Sequence, residues 1–471
     1  LAQLLRDNGR GDSVVPRLRR YSDSDPKNIY IRVVLAAEMA RDRFTQTGAD
    51  HIFNSLMADT NERKVVEVVI RSHLEGDRAR EIVEMLDRVF AILKDRDDDG
   101  KPNETPATAK AREFAAEKAR VVAEILRDDP QGSLAVLRSA AEDVRVGKKR
   151  NQQVHYFLGQ LAARHRQLEL AIREFEAARL NAQRATTGDA YGALINILIA
   201  AHKPAELRDL CRQGLQATQN IISPHYFNYF LAQALAELGD EKGAIEAVDR
   251  AIEQTAVGDR LTVRLQKVFV LRVLGKWDEA IALGKKLLDE FDSSADTQRI
   301  RYSLAGAYWG AKKWAEAEAQ LRAILVLDPD NAPACNDLGF HLADQGRNLD
   351  EAEQLIRTAI ASDRLDRRKS GAAELENAAY LDSLGWVLFR RGKAREALAE
   401  LERAAALPSG ADDATVWDHM GDVLFRMGEK KKAKTAWEKA RELYEADTRG
   451  SSRGRRDGRL DEVKLKLKRV P

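Results

Sequence analysis

Two cysteines in 471 residues, Cys211 and Cys335, leave no material for a disulfide framework, and their separation matches no metal-ligand spacing. Charge of a single sign is also missing. Lysine and arginine total 77 against 75 acids, a formal net of +2, so the totals give no reason to expect a polyanionic partner such as nucleic acid. The longest nearly apolar run, AYGALINILIAA at 190–201, falls short of the roughly 20 residues that a membrane-spanning helix needs. No Gly-rich phosphate cradle, HExxH pair or nucleophile elbow occurs. The eight histidines are dispersed with no i, i+3 or i+4 pair, which argues against a metal site on one helix. These absences make a catalytic role, a cofactor and a metal unexpected, and no targeting segment precedes the first helical pattern.

What is present is helical. Apolar residues recur with a period near 3.6, broken by short polar stretches roughly every 12 to 18 residues, and period-2 alternation is absent. HYFLGQLAARHRQLELAIREFEAA, YFLAQALAELGDEKGAIEAVDRAI, RYSLAGAYWGAKKWAEAEAQLRAI, CNDLGFHLADQGRNLDEAEQLIRTAI, LDSLGWVLFRRGKAREALAELERAA and WDHMGDVLFRMGEKKKAKTAWEKA share one frame. Within it a small residue stands midway along a first helix at Gly159, Ala232, Ala305, Gly339, Gly385 and Gly421. A second follows at Ala171, Ala244, Ala280, Ala317, Ala352, Ala397 and Ala433, and a third at Ala178, Ala251, Ala359, Ala404 and Ala440. Helices approach closely only where side chains are small, so paired small sites twelve or thirteen residues apart predict tight antiparallel hairpins. Gly239, Gly275, Gly346, Gly392 and Gly428 sit where a left-handed residue would end the first helix.

These letters resemble the tetratricopeptide repeat, a helix-turn-helix unit of about 34 residues. Trp417, Met420, Gly421, Gly428, Ala433, Trp437 and Ala440 carry the match most fully. The C-terminal units look like tetratricopeptide scaffold proteins widespread in bacteria. The expected fold class is therefore all-α, a right-handed α-solenoid of about eleven stacked hairpins with a C-terminal cap helix. Its organisation would run as degenerate repeats over 1–94, an acidic flexible loop over 95–109 and a degenerate repeat over 110–151. Fitted repeats over 152–365, an inserted loop over 366–378, repeats over 379–446 and a basic linker with cap helix over 447–471 would follow.

Three local motifs have plainer readings. Asp95, Asp97, Asp99 and Gly100 begin like a calcium loop, but Pro102 and Pro106 stand where that loop needs an apolar residue and a bidentate Glu. Asn103-Glu104-Thr105 is a glycosylation sequon of use only in a secreted eukaryotic protein. The run GRGDS at 9–13 falls at a hairpin turn, with Val14 and Leu18 at packing sites and Asp12 or Ser13 able to cap the next helix. By that alignment Leu1 is the seventh residue of a repeat, so the first repeat is expected to be broken.

The resemblance implies a partner groove lined by the first helix of each unit. Carried onto this chain, the lining comprises Tyr156, Tyr229, Phe230, Phe269, Tyr302, Trp309, Phe340, Trp386, Phe389 and Phe425, with Tyr226 and Phe157 beside them. Asp337, Asp382, Asp418 and Asp422 interleave toward the C-terminus. The expected function is a noncatalytic protein-protein interaction scaffold that binds a segment of another protein bearing apolar anchors and nearby Lys or Arg. Alternatives are the recognition arm of a larger enzyme with its catalytic domain upstream of Leu1, or attachment to nucleic acid or a membrane through the basic tail. Bacterial cytoplasm and periplasm or envelope both remain open as compartments. The lysine and asparagine pattern that clamps chaperone tails is missing, and so is an Asn ladder at the sixth position. His155, His341 and His419 fall inside well-fitted first helices and read as structural or groove-lining. Leu460, Val463, Leu465 and Leu467 predict an apolar face for the cap helix.

Overall fold

A computed structural model describes residues 7–8, 11–93, 106–147, 150–180, 187–216, 222–256, 260–370, 374–450 and 458–469. Among them are 25 α-helices and no strand. The chain divides into two compact units, Leu1–Ile197 and Leu198–Pro471.

Unit 1 opens with α1 (Val14–Ser24), α2 (Ile29–Met39), α3 (Gln46–Asp59), α4 (Arg63–Glu75) and α5 (Ala79–Leu93). It continues through α6 (Pro106–Asp128), α7 (Pro130–Arg145), α8 (Gln152–Arg164) and α9 (Leu168–Leu180) to α10 (Thr187–Ala200), inside which the division falls. Unit 2 contains α11 (Pro204–Gln216) and then the hairpins α12 (Pro224–Leu238) with α13 (Glu241–Gln254) and α14 (Arg260–Val273) with α15 (Trp277–Glu290). Next come α16 (Ser294–Gly310) with α17 (Trp314–Leu327) and α18 (Ala332–Asp344) with α19 (Leu349–Ser370). The hairpin α20 (Ala378–Arg390) with α21 (Ala394–Ala406) is followed by the single turn α22 (Pro408–Ala411). Finally α23 (Ala414–Arg426) pairs with α24 (Lys430–Gly450), and α25 (Arg459–Leu467) closes the unit.

The small-residue lattice is where the helices touch. All seven second-helix alanines named above are fully buried, as are Ala178, Ala251, Ala359, Ala404 and Ala440. A Cβ placed on Gly421 would stand 2.4 Å from the Trp437 ring, and one on Gly339 would stand 2.8 Å from the Ala352 carbonyl oxygen. In unit 2 a single core cluster runs from Ala305 through Leu338, Leu384 and Trp437 to Val463.

The turns share one geometry even where their letters differ. The five glycines expected to be left-handed all are, with φ between 67° at Gly346 and 86° at Gly428. Asp77, Arg166, His202 and Lys312 take the same place in four other hairpins, with φ of 53°, 53°, 52° and 59°. In every case the next residue's N–H reaches back to a helix carbonyl, as Asp240 to Leu235 at 2.9 Å and Gln167 to Ala162 at 2.9 Å. Satisfying those carbonyls repays the steric cost of about 1–2 kcal/mol that a side chain meets in this conformation. Helix starts are closed similarly: Asn28, Asp240, Asn331 and Asp413 accept from backbone N–H groups of their own first turns.

Some expectations need adjustment. The insertion expected as a loop over 366–378 starts as helix, because α19 runs on to Ser370. Polar pairs one turn apart extend it beyond the apolar stripe, with Arg367 Nε donating to Asp363 at 2.6 Å. Glu376 is then held by Arg364, and by Arg403 at 2.7 Å. Leu465 is 55% exposed, so the buried face of α25 consists of Leu460, Val463 and Leu467, with Lys466 beside them. Gly11–Ser13 forms a short 3-10 turn into α1, where Val14 and Leu18 are buried and Ser13 stands at the N-cap without a side-chain capping bond. The loop expected over 95–109 ends early, since α6 begins at Pro106, and the linker expected from 447 begins inside α24, which runs to Gly450; Gly9, Arg10, the calcium-like aspartates and the sequon lie outside the described residues.

Candidate functional site

First helices present the expected aromatics as partly exposed side chains. In unit 1, Tyr156 on α8 lies 5.6 Å from Phe175, ring to ring, beside a pocket of about 240 Å³ that Phe90, Phe157, Gln153, Gln160 and Asp189 also line. Burial, and then the charge of Asp189, raise its phenol above the ordinary range. His155, the next residue back, is buried and shares a 2.7 Å hydrogen bond with buried Glu174, which ties α8 to α9. It is a structural cross-link.

In unit 2 most of the aromatics meet other rings in local clusters. On α12, Tyr226 and Tyr229 meet Phe230 edge-on at 5.0 and 4.8 Å, and Phe269 is half-buried on α14. Tyr302 is 40% exposed on α16, where Trp309 stacks on His341 of α18 at 3.3 Å. Trp386 and Phe389 pair at 5.5 Å on α20, and His419 of α23 stacks on Trp386 at 4.3 Å while Phe340 approaches it at 6.4 Å. Phe425 leans on the buried Trp437 at 5.5 Å. The histidines join rings of successive hairpins, a role that their isolation in sequence does not announce.

The four aspartates do not stand free. Tyr302 donates to Asp337 Oδ2 at 2.8 Å, and burial holds the Asp337 carboxyl above its usual range. His419 Nδ1 lies 2.9 Å from Asp382 Oδ1. Lys466 of α25 donates to Asp418 at 2.7 Å and to Asp422 at 2.8 Å. Three bonds share a register in which a first-helix residue of one hairpin meets the first helix of the next 35 or 37 residues on: Tyr302 with Asp337, Asp382 with His419, and the Tyr229 carbonyl with Gln266 Nε2 at 3.2 Å. The expected acidic lining therefore serves largely to stitch hairpin to hairpin. Of the basic tail, Lys466 is committed to this cluster, Arg459 donates to Thr415 at 3.0 Å and Lys464 pairs with Glu445 at 3.4 Å.

The two kinds of histidine respond to pH oppositely. At His419 burial acts to lower the pKa, but the charges of Asp382, Asp418 and Asp422 with the Asp382 hydrogen bond outweigh it and raise it. At His341 and His73 burial dominates and lowers the pKa to about 4. A group that binds its proton less readily folded than unfolded contributes stability above its unfolded pKa and loses it as pH falls. Stability should thus decline between about pH 6.5 and pH 4. His341→Phe, which keeps a ring against Trp309, should flatten the decline in unit 2, as read by urea midpoints across that range; an unchanged slope would refute the assignment.

Burial pushes the thiols of Cys211 and Cys335 up to about 12 and 11, the opposite of an activated cysteine. Among the described residues, no three His, Cys, Asp or Glu side chains are placed to hold a metal ion, and no helix is long and apolar enough to cross a membrane.

A tetratricopeptide repeat family model matches residues 270–332. Over 90 residues, 19% of this chain, the sequence is 36% identical to the TPR repeat-containing protein PA4667 of Pseudomonas aeruginosa, and the shared stretch spans 13% of that protein. Among solved structures, a tetratricopeptide repeat protein from Parabacteroides merdae aligns at 16% identity with a TM-score of 0.40, covering 59% of this chain and 97% of that one. A thermophilic TPR protein of Thermus thermophilus aligns at 20% identity with a TM-score of 0.33, covering 44% and 99%. Residues 270–332 match the tetratricopeptide repeat, within an all-α repeat fold; such repeats generally mediate protein-protein interaction, and proteins built from them are generally noncatalytic scaffolds.

Proposed function

We propose that unit 2 is a scaffold whose first-helix face binds an extended or helical segment of another protein through apolar anchors. The observation that carries this reading is the recurrence of partly exposed aromatics on each of its six first helices, α12, α14, α16, α18, α20 and α23. Aromatic residues make up only 6% of the chain. Rings already fixed against neighbouring rings lose little conformational entropy on binding, which is what concentrates binding energy in a few anchors. Because Asp337, Asp382, Asp418 and Asp422 already have partners in the chain, a basic residue of the ligand would compete with Tyr302, His419 or Lys466, and added salt should change affinity little.

The test is to select peptides from a displayed random library on the full chain and measure their affinity by calorimetry. Selected sequences should carry aromatic or aliphatic anchors, and Trp386→Ala with Phe389→Ala should weaken binding at least about tenfold, since 1.4 kcal/mol is a factor of ten and anchor truncations commonly exceed it. Circular dichroism would confirm folding. Unchanged affinity in the folded double variant would sink the proposal.

A further inference from the structure

Unit 1 contains a lysine that this reading leaves unused. Lys118 on α6 is 2% exposed, and its Nζ lies 4.4 Å from the centroid of the Phe114 ring. It forms no ion pair among the described residues. Asp59 acts on it through space, but that carboxylate is itself held by Arg32 at 3.5 Å and by Ser55 Oγ at 3.2 Å. A largely buried ammonium without an anionic partner is costly, because it gives up part of its hydration for the weaker attraction of a ring face. Burial accordingly lowers the Lys118 pKa to about 8.

The lysine faces a cavity of about 330 Å³ between α3, α5 and α6. Its walls are mostly apolar, with Met57, Met85, Val89 and Ile92 prominent among them. The second cation on the wall, Arg88, is oriented by a 2.8 Å hydrogen bond from Nη2 to Asn54 Oδ1, leaving the rest of its guanidinium fork for other acceptors. An apolar chamber with two cations on its wall has the character of a small-molecule site: a greasy body is accommodated by area, and a few polar groups fix its orientation. At about 30 Å³ per water, the cavity has the volume of roughly eleven waters, which suits a small amphiphile.

We propose that this cavity binds a small apolar carboxylate, with its tail among Met57, Met85, Val89 and Ile92 and its head group between Lys118 and Arg88. A carboxylate supplies the missing counter-charge for Lys118 and can accept from the guanidinium in parallel. The site lies wholly in unit 1 and is independent of the aromatic face of unit 2.

Octanoate titrated into the full chain by calorimetry provides the test, with octanol as the neutral control. Octanoate should bind saturably with one site per chain and at least about tenfold more tightly than octanol. Lys118→Met keeps the side-chain length and removes a buried charge, a change that folded proteins tolerate or gain from. It should reduce octanoate affinity at least about tenfold and leave octanol unaffected. If Lys118→Met fails to fold, Ile92→Trp at a half-exposed wall position should block octanoate instead. Absence of saturable octanoate binding, equal affinity in either folded variant, or binding only by a peptide with an apolar C-terminal residue would each overturn the proposal.

Discussion

Replacing Arg150 by Ala is expected to cost unit 1 about 3–5 kcal/mol, the range seen when one partner of a buried ion pair is removed and its opposite charges stay behind. The Arg150 side chain is 1% exposed and is bound by Asp143 through both Nε and Nη2. Nη2 also reaches Glu84 at 3.2 Å, and Asp87 lies 3.9 Å from Nη1. The next residue continues the strap: Asn151 N–H donates to Asp87 at 2.8 Å and its side-chain amide to the Phe90 carbonyl at 3.3 Å. Two consecutive residues thus fasten the start of α8 to α5, and losing the guanidinium leaves Asp143, only 4% exposed, with Arg80 at 3.6 Å as its remaining cation. Hydrogen exchange should rise in α5, α7 and the first turn of α8 while unit 2 keeps its protection. Adding Asp143→Ala should recover more than half of the loss, since the penalty is mainly the stranded carboxylate. A loss below about 1 kcal/mol would place this cluster among solvent-screened pairs.

Little in the sequence announces Arg150. It is one basic residue in the run GKKR, and what makes it matter, acids at 84, 87 and 143, comes from helices that only the fold brings together. The hairpin lattice was legible because its cause is local and steric. Ala352 and Ala397 are small for the same reason wherever the frame recurs, and a glycine two residues past a helix end can be read alone. Arg166, His202 and Lys312 hide the same turn because the backbone bonds that stabilise it leave no trace in the letters. Aromatic candidates were visible by residue type and register. The partners of the aspartates were not, because the bonds from Tyr302 to Asp337 and from His419 to Asp382 span 35 and 37 residues. Likewise, Leu465 and Lys466 exchange their expected places because α25 turns its cation, rather than one more leucine, toward Asp418 and Asp422.

Trp437→Ala should be the most damaging single change in unit 2, at about 3–5 kcal/mol for a large aromatic lost from a packed core. The indole is 2% exposed, and its Nε1 donates to Asp422 at 3.2 Å, the same carboxylate that Lys466 holds from α25 at 2.8 Å. Removing it also withdraws the support of Phe425, 5.5 Å away on the candidate binding face. The sharper test concerns Gly421. A methyl group there would sit 2.4 Å from the indole, so Gly421→Ala alone should destabilise by about 1–3 kcal/mol as the overpacked pair is forced apart. Once Trp437 is Ala the clash is gone, and what remains is the helix preference for Ala over Gly, about 1 kcal/mol, with part of the cavity filled. The same Gly421→Ala substitution should therefore change sign between the two backgrounds. Repeat arrays need not unfold in one step, so the cycle is best read by hydrogen exchange of α23 and α24, with α25 expected to lose protection whenever Asp422 loses its indole donor. Additive effects across the cycle would show that the glycine is there for reasons other than the tryptophan packed against it.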